Sequence, residues 1–206
     1  VSSMPRPEQG SATAATVRGF NAFVEVGCAS CHIPELQTRE SELPLRFPMD
    51  HADPAANVYY RVDLTKNPAK FSRNAQGGVV VPLFADLKRH DMGDGLAETF
   101  ALASDQRNRE FTTARLWGIA DTGPYLHDGR ATTLTEAILL HGGEAEQVRN
   151  GFSALGDLQK EELLGFLRTL RTPRDPLGRG SSSSFRGNSG IQRESVGRSV
   201  IRVDPN

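Results

Sequence analysis

Five consecutive residues, Cys28-Ala29-Ser30-Cys31-His32, constrain this chain more than any other feature, because they hold both of its cysteines beside one of its five histidines. With both sulfurs spent at one place, no pair remains for a disulfide framework. The pattern has three chemical readings: a thioredoxin-like redox pair, half of a zinc site, or covalent attachment of haem through two thioethers with the adjacent histidine under the iron. Zinc needs two further ligands, usually a second pair at close spacing, and His51, His90, His127 and His141 are scattered singly. A redox pair wants a strand before it and a helix after it, whereas here a helical pattern leads in and Pro34 follows. Haem attachment is the reading that uses all three residues. It assigns Cys28 and Cys31 to the thioethers and His32 to the iron of a single covalent haem c.

The apolar pattern places that motif at the end of a helix. Ser11 can cap it, and Val17, Phe20, Phe23 and Val24 are its apolar positions; residues 1–10 read as an irregular lead-in. From Ile33 to Gly95 six prolines and Gly77-Gly78 break any long periodicity, which predicts a loop-rich insertion. A short helix is expected over Leu96–Ala103 and a tightly packed loop over Phe111–Arg130. Thr133-Leu134-Thr135-Glu136 has the form of a capping box and opens a short helix that Gly142-Gly143 stops, so His141 ends it. Asp157 can cap a last helix whose Leu163, Phe166, Leu167 and Leu170 follow the spacing of a core-facing stripe, and Pro173 ends it.

Beyond Pro173 the composition turns to Gly, Ser and Arg. Residues 173–206 are expected to form an extended arm resting on the domain or on a neighbouring chain, since free in solution such a segment buries too little surface to offset its ordering entropy. The overall charge of −1 gives no reason to expect nucleic acid, although seven arginines against three acidic residues from Arg171 to Asn206 make the arm basic. No run approaches the roughly 20 apolar residues that span a bilayer, and Val1-Ser2-Ser3-Met4 lacks a leader's charge and hydropathy. Covalent haem attachment takes place outside the cytoplasm. The expectation is a processed, periplasmic or otherwise exported protein.

What haem does depends on the other face of its iron, where a strong second ligand makes an electron carrier and an open position admits peroxide or oxygen. Three residues compete for that place. His141 ends a helix, with Ile138 and Leu140 able to wall a crevice. Met92 is a thioether in the loop His90-Asp91-Met92-Gly93. His127, followed by Asp128-Gly129-Arg130, suits a polar cluster better than an iron. Met4 and Met49 stand isolated.

Taken together, Cys28–His32, Leu87-Lys88-Arg89-His90-Asp91-Met92-Gly93, Arg115-Leu116-Trp117-Gly118, Tyr125-Leu126-His127-Asp128-Gly129-Arg130-Ala131 and Glu136-Ala137-Ile138 with His141-Gly142-Gly143-Glu144-Ala145 resemble the di-haem oxidoreductase family of peroxidase-like and thiol-oxidoreductase-like proteins, relatives of bacterial di-haem cytochrome c peroxidases. The resemblance runs from about Phe20 to Leu170 and is to their C-terminal haem domain. In those peroxidases that half carries the electron-transferring haem, and the other half carries the peroxidatic haem on a second Cys-x-x-Cys-His, which this sequence lacks. The resemblance sets His141 where they have the distal methionine, which favours bis-histidine ligation. It sets Trp117 where they carry an arginine near the haem propionates, so that Arg115 or Arg130 takes over the charge pairing. Tyr125 and Asp128 read as hydrogen-bonding partners around the turn.

These readings combine into a mainly α, cytochrome c-like haem domain over residues 11–172, with a long loop-rich insertion and the C-terminal arm. The expected role is electron transfer, with a redox partner protein or another haem subunit met through the arm. The competing enzyme reading is a peroxidase-like or oxidase-like site with a displaceable distal ligand and His90 or His127 as acid and base. A third reading makes the chain a haem-bearing structural subunit organised by its arm.

Overall fold

The computed structural model describes residues 8–46, 58–98 and 105–173. The first helix, α1 (Ala14–Val26), begins two residues later than the Ser11 cap predicts. Thr13 caps it, accepting from the Thr16 N–H at 3.2 Å while the Thr16 hydroxyl accepts from the Thr13 N–H at 2.8 Å. Each otherwise orphaned donor gains a partner, so the reciprocal pair outcompetes a lone serine upstream. Gly27 ends the helix at φ 102°, a left-handed turn that costs a side-chain-bearing residue energy, and the chain passes directly into a tight turn over Cys28–Ser30.

Helix α1 packs along the last helix, here α5 (Asp157–Leu167). Their crossing is close because Gly19 has no side chain: a Cβ there would stand 1.9 Å from the Glu162 carbonyl oxygen. Arg18 bridges the same crossing to Glu162 at 2.6 Å. The predicted stripe Leu163, Phe166, Leu167 and Leu170 is buried as expected, and Leu164 joins it. Phe23 and Phe152, each 1% exposed, complete the centre, with Phe20, Phe84 and Phe166 stacked edge-on or tilted around them at centroid distances of 5.2–6.5 Å. Val17 and Val24 of the predicted α1 stripe face out instead, at 50% and 45% exposure, because α5 covers only the Gly19–Phe23 side. The α5 cap is Gly156 rather than Asp157, which forms the first helical residue.

The expectation of a mainly α chain is overturned. Among the described residues, eight short strands accompany five α-helices, paired as four separate two-stranded antiparallel ladders. Strand β1 (Glu8–Gln9) pairs with β8 (Leu170–Arg171), β2 (Leu36–Gln37) with β5 (Val80–Val81), β3 (Glu42–Arg46) with β4 (Val58–Asp63), and β6 (Arg89–Asp91) with β7 (Glu110–Thr112). Three ladders draw on the stretch predicted to be irregular loop. The physical reason is that a long insertion laid on a core must still pair its backbone N–H and C=O groups, and it pairs them at long range where no periodicity announces the partner. The lead-in is likewise part of the fold, since Glu8 and Gln9 are zipped to the strand after α5.

Three shorter helices follow the insertion. Helix α2 (Asp105–Arg109) lies beyond the stretch Leu96–Ala103 where a helix was predicted; there Leu96 closes a single tight turn, Asp94–Leu96, and residues 99–104 fall outside the described residues. Helix α3 (Leu134–Leu139) opens on the predicted capping box, with Thr133 accepting from the Glu136 N–H at 3.1 Å, and α4 (Glu146–Ala154) connects it to α5. The arm from residue 174 onward, with Met4, Met49 and His51, also lies outside the described residues.

Overpacking a helix crossing this tight has a measurable cost. Gly19→Ala is expected to lower stability by about 1–3 kcal/mol, read as a fall in denaturant midpoint; an unchanged midpoint would show that the two helices do not approach as described.

Candidate functional site

The end of α1 and the turn after it deliver the cysteine motif onto the core. Cys28 and Ala29 pack against the buried cluster, and burial pushes the Cys28 thiol up to about 11. A thiol so reluctant to ionise is a poor redox nucleophile. The turn is closed by the His32 N–H donating to the Cys28 carbonyl at 3.0 Å.

His32 is held from a segment far away in sequence. Its Nδ1 lies 3.1 Å from the Phe84 carbonyl, and the Phe84 N–H donates at 3.3 Å to Pro34, two residues beyond His32, so the two segments grip each other reciprocally. Phe84 achieves this with φ at +53°, an unfavourable conformation for a bulky residue, and its ring is wedged against Phe23 and Phe166. Burial pushes His32 down to about 4; the Phe84 carbonyl opposes the shift, and the nearby His141 ring adds to it. The imidazole is therefore neutral at physiological pH, and the accepting carbonyl fixes its proton on Nδ1, leaving Nε2 as the lone-pair nitrogen.

His141 repeats the arrangement. It lies two residues past the end of α3, and its Nδ1 is 2.7 Å from the Ala137 carbonyl one turn back. Burial lowers its pKa as well, with the Ala137 carbonyl in opposition. Two imidazoles are thus each anchored through Nδ1 to a backbone carbonyl, and a charge on His141 would disfavour one on His32. Imidazoles that ligate a metal are held in this way, the second nitrogen fixing tautomer and ring orientation.

Met92, His90 and His127 are each held by partners of their own. The Met92 N–H donates to the Arg109 carbonyl at 2.9 Å, and its backbone lies against Gly142. His90 is bound on both sides: Nε2 is 2.9 Å from Asp86 Oδ2 and Nδ1 is 2.8 Å from Glu144 Oε2, and these two carboxylates raise its pKa, Glu144 most. Burial alone would raise Asp86, yet the Thr113 hydroxyl, the Lys88 N–H and the His90 ring together hold it at about 2. Cys31, Asp86 and His90 lie within 4.8 Å of one another, a grouping of cation-ligand type that the scattered histidines did not disclose. Both nitrogens of His90 are already spent on carboxylates, however, so it offers a cation no lone pair in this arrangement. The same occupancy removes the free nitrogen that an acid or base at His90 would use. His127 stacks on Phe111 at 4.3 Å with Glu98 3.6 Å away.

The three residues assigned to the edge of the group differ. Trp117 donates through Nε1 to the Pro82 carbonyl and stacks on Phe71, so its polar tip is satisfied within the protein. Arg130 is committed to Asp128 Oδ2 at 2.5 Å and the Gly95 carbonyl at 2.6 Å. Arg115 is exposed and has no hydrogen-bond or ion-pair partner among the described residues. Sequence reasoning missed the carbonyls of Phe84 and Ala137, which carry no side-chain signal, and also Asp86 and Glu144, although Glu144 stands within the motif that contains His141.

The donor set suits a haem. Two thiols lie at thioether spacing with the first backed by the core, and two imidazoles anchored through Nδ1 leave Nε2 free, whereas the second close-spaced ligand pair that zinc demands is lacking among the described residues. Residues 69–170 match the family described as di-haem oxidoreductase, putative peroxidase. Over that stretch the chain is similar to this family of haem-dependent redox proteins. A crystal structure of a MauG-like protein associated with microbial copper homeostasis aligns at 22% identity and a TM-score of 0.40, covering 78% of this chain; the chain spans 47% of that protein's length. No curated protein matches the sequence. No helix among the described residues is long and apolar enough to cross a membrane.

The paired carboxylates imply a pH dependence. His90 has a folded pKa raised above its unfolded value of about 6.5, so its stabilising contribution is full below that pH and is lost as pH rises through the raised value. Asp86 and Glu144 are lowered, and their contributions are lost only toward acid. The stability difference between the wild type and His90→Gln is expected to be largest near pH 5–6 (about the window these values set) and to shrink toward alkaline pH. Denaturant midpoints across that range check it, and a difference that grows with pH would contradict the assignment.

Proposed function

We propose that the chain is an electron-transfer protein that would hold one covalent c-type haem, with Cys28 and Cys31 as the thiols that would anchor it and His32 and His141 as the imidazoles that would hold its iron. The observation that carries this reading is the matched state of the two histidines, each half-buried, lowered in pKa and tethered through Nδ1 to a backbone carbonyl. Haem bound there supplies a one-electron ferric–ferrous couple whose potential depends on axial ligands, burial and hydrogen bonding. The protein's own part is to hold both imidazoles still. The Phe84 carbonyl withdraws the Nδ1 proton from free exchange and makes the His32 ring a stronger donor, and the Ala137 carbonyl does the same for His141. A rigid, apolar surrounding built from Phe23, Phe84 and Phe166 keeps water and its reorganisation away from the His32 side.

His141 is preferred over Met92 because it repeats the His32 arrangement, an imidazole held through Nδ1 by a backbone carbonyl. Arg115, exposed and without a partner among the described residues, is the better candidate for pairing with a propionate, since Arg130 is already engaged. Covalent attachment of this type makes an exported, periplasmic location part of the proposal. A redox partner protein or a second haem subunit is the implied electron donor or acceptor.

Optical and electron paramagnetic resonance spectra of the haem-loaded protein test the reading directly. The expected result is low-spin iron in both oxidation states, unmoved by carbon monoxide or peroxide, with the signature lost in His141→Ala and kept in Met92→Ala. High-spin iron that takes up carbon monoxide and reacts with peroxide would replace electron transfer with the peroxidase-like alternative.

A further inference from the structure

The two histidines reside on segments that share no helix, strand or disulfide. His32 is gripped by Phe84, and His141 lies two residues beyond α3, tied only to that helix, through its N–H to the Ile138 carbonyl and its Nδ1 to the Ala137 carbonyl. We propose that Glu144 and His90 are positioning residues, forming with Asp86 a carboxylate–imidazole–carboxylate strap that fixes the separation between the His32 and His141 segments.

The strap can be followed atom by atom. Asp86 lies two residues beyond the carbonyl that holds His32, and its Oδ2 is 2.9 Å from His90 Nε2. The other side of the ring, Nδ1, is 2.8 Å from Glu144 Oε2, and Glu144 Oε1 accepts from the Asp91 N–H at 3.0 Å. Glu144 is three residues from His141 along a Gly142-Gly143 turn. That turn is pressed on the backbone around Met92: a Cβ on Gly143, which sits at φ 52°, would stand 2.2 Å from the Asp91 carbonyl oxygen, and one on Gly93 would stand 2.8 Å from the Gly143 nitrogen. A side chain at either glycine would push the turn away from β6 and out of reach of His90. The strap therefore has a backbone seat as well as a polar clasp, and both bear on the same four residues, His141–Glu144.

A core hydrogen bond placed only for stability would tie the turn to its nearest neighbour. This one runs instead from the segment gripping one imidazole to the segment bearing the other, through a histidine that exposes only 17% of its side chain. The consequence is that breaking the clasp should free His141 to leave the iron more often while the core remains folded. The inference rests on the bis-histidine reading of the site.

The experiment compares Glu144→Ala, His90→Gln, His141→Ala and Gly19→Ala with the wild type, all as haem-loaded full-length protein, by ferric spin state, ferrous carbon monoxide uptake and thermal midpoint. Loss of a charge-assisted hydrogen bond to a half-exposed carboxylate should raise the carbon-monoxide-competent fraction about three- to tenfold in Glu144→Ala and His90→Gln. Gly19→Ala should lower the midpoint without raising that fraction. Glu144→Gln, which keeps an acceptor for Asp91, should fall between wild type and Glu144→Ala and serves if the alanine variant does not fold. Wild-type uptake in the Glu144 and His90 variants, or an equal rise in Gly19→Ala, overturns the strap while a changed His141→Ala spectrum leaves the ligand assignment standing. An unchanged His141→Ala spectrum overturns both.

Discussion

Everything at this site depends on the hydrogen bond between the half-buried His32 ring and the Phe84 carbonyl. A histidine placed after two cysteines at a helix end has no intrinsic orientation; a fixed acceptor gives it one. That acceptor is supplied across 52 residues of chain by a backbone group in an unfavourable conformation, and three aromatic rings hold the conformation in place. The α1–α5 crossing is thus more than a core. By burying Phe23 and Phe166 against Phe84 it sets the height of a carbonyl oxygen, and through that oxygen the protonation and direction of an imidazole.

The insertion between the motif and β6 acquires its purpose from the same bond. It must leave His32, travel outward and return with Phe84 pointing inward and Asp86 two residues later. Short antiparallel ladders are an economical way to do this, because each pairs its own backbone without demanding a continuous sheet. The ladder β2–β5 clamps the outgoing and returning strands just before Phe84, and β6–β7 begins just after Asp86. The residues that face His32 and those that reach toward His141 therefore belong to one short, doubly clamped stretch.

Where local chemistry decided the outcome, the sequence was readable. The Thr133–Glu136 capping box, the apolar stripe of α5 and the Cys-x-x-Cys-His turn each depend on residues within a few positions of one another, and each was found where expected. Where distant backbone decided it, the sequence was silent. A carbonyl acceptor belongs to every residue, so nothing marked Phe84 or Ala137 in advance. The ladders of the insertion pair residues 40 or more positions apart in β2–β5, and prolines among them suggested loop, which is why helix was given too large a share of the fold. Asp86, His90 and Glu144 are ordinary polar residues until the fold brings them together. The α1 cap moved from Ser11 to Thr13 for a smaller reason, that two threonines three apart can serve each other while a single serine cannot.

The pairing of β1 with β8 brings Glu8 beside Arg171 at one edge of the folded unit. A unit that the chain enters and leaves at neighbouring points can be spliced into a longer polypeptide, or copied in tandem, without cutting its core, since both junctions lie together on the surface. Modularity of that kind is what a haem-bearing building block needs if nature is to set it beside a second redox centre at a controlled distance, and here the clasp that permits it is two residues long on each side.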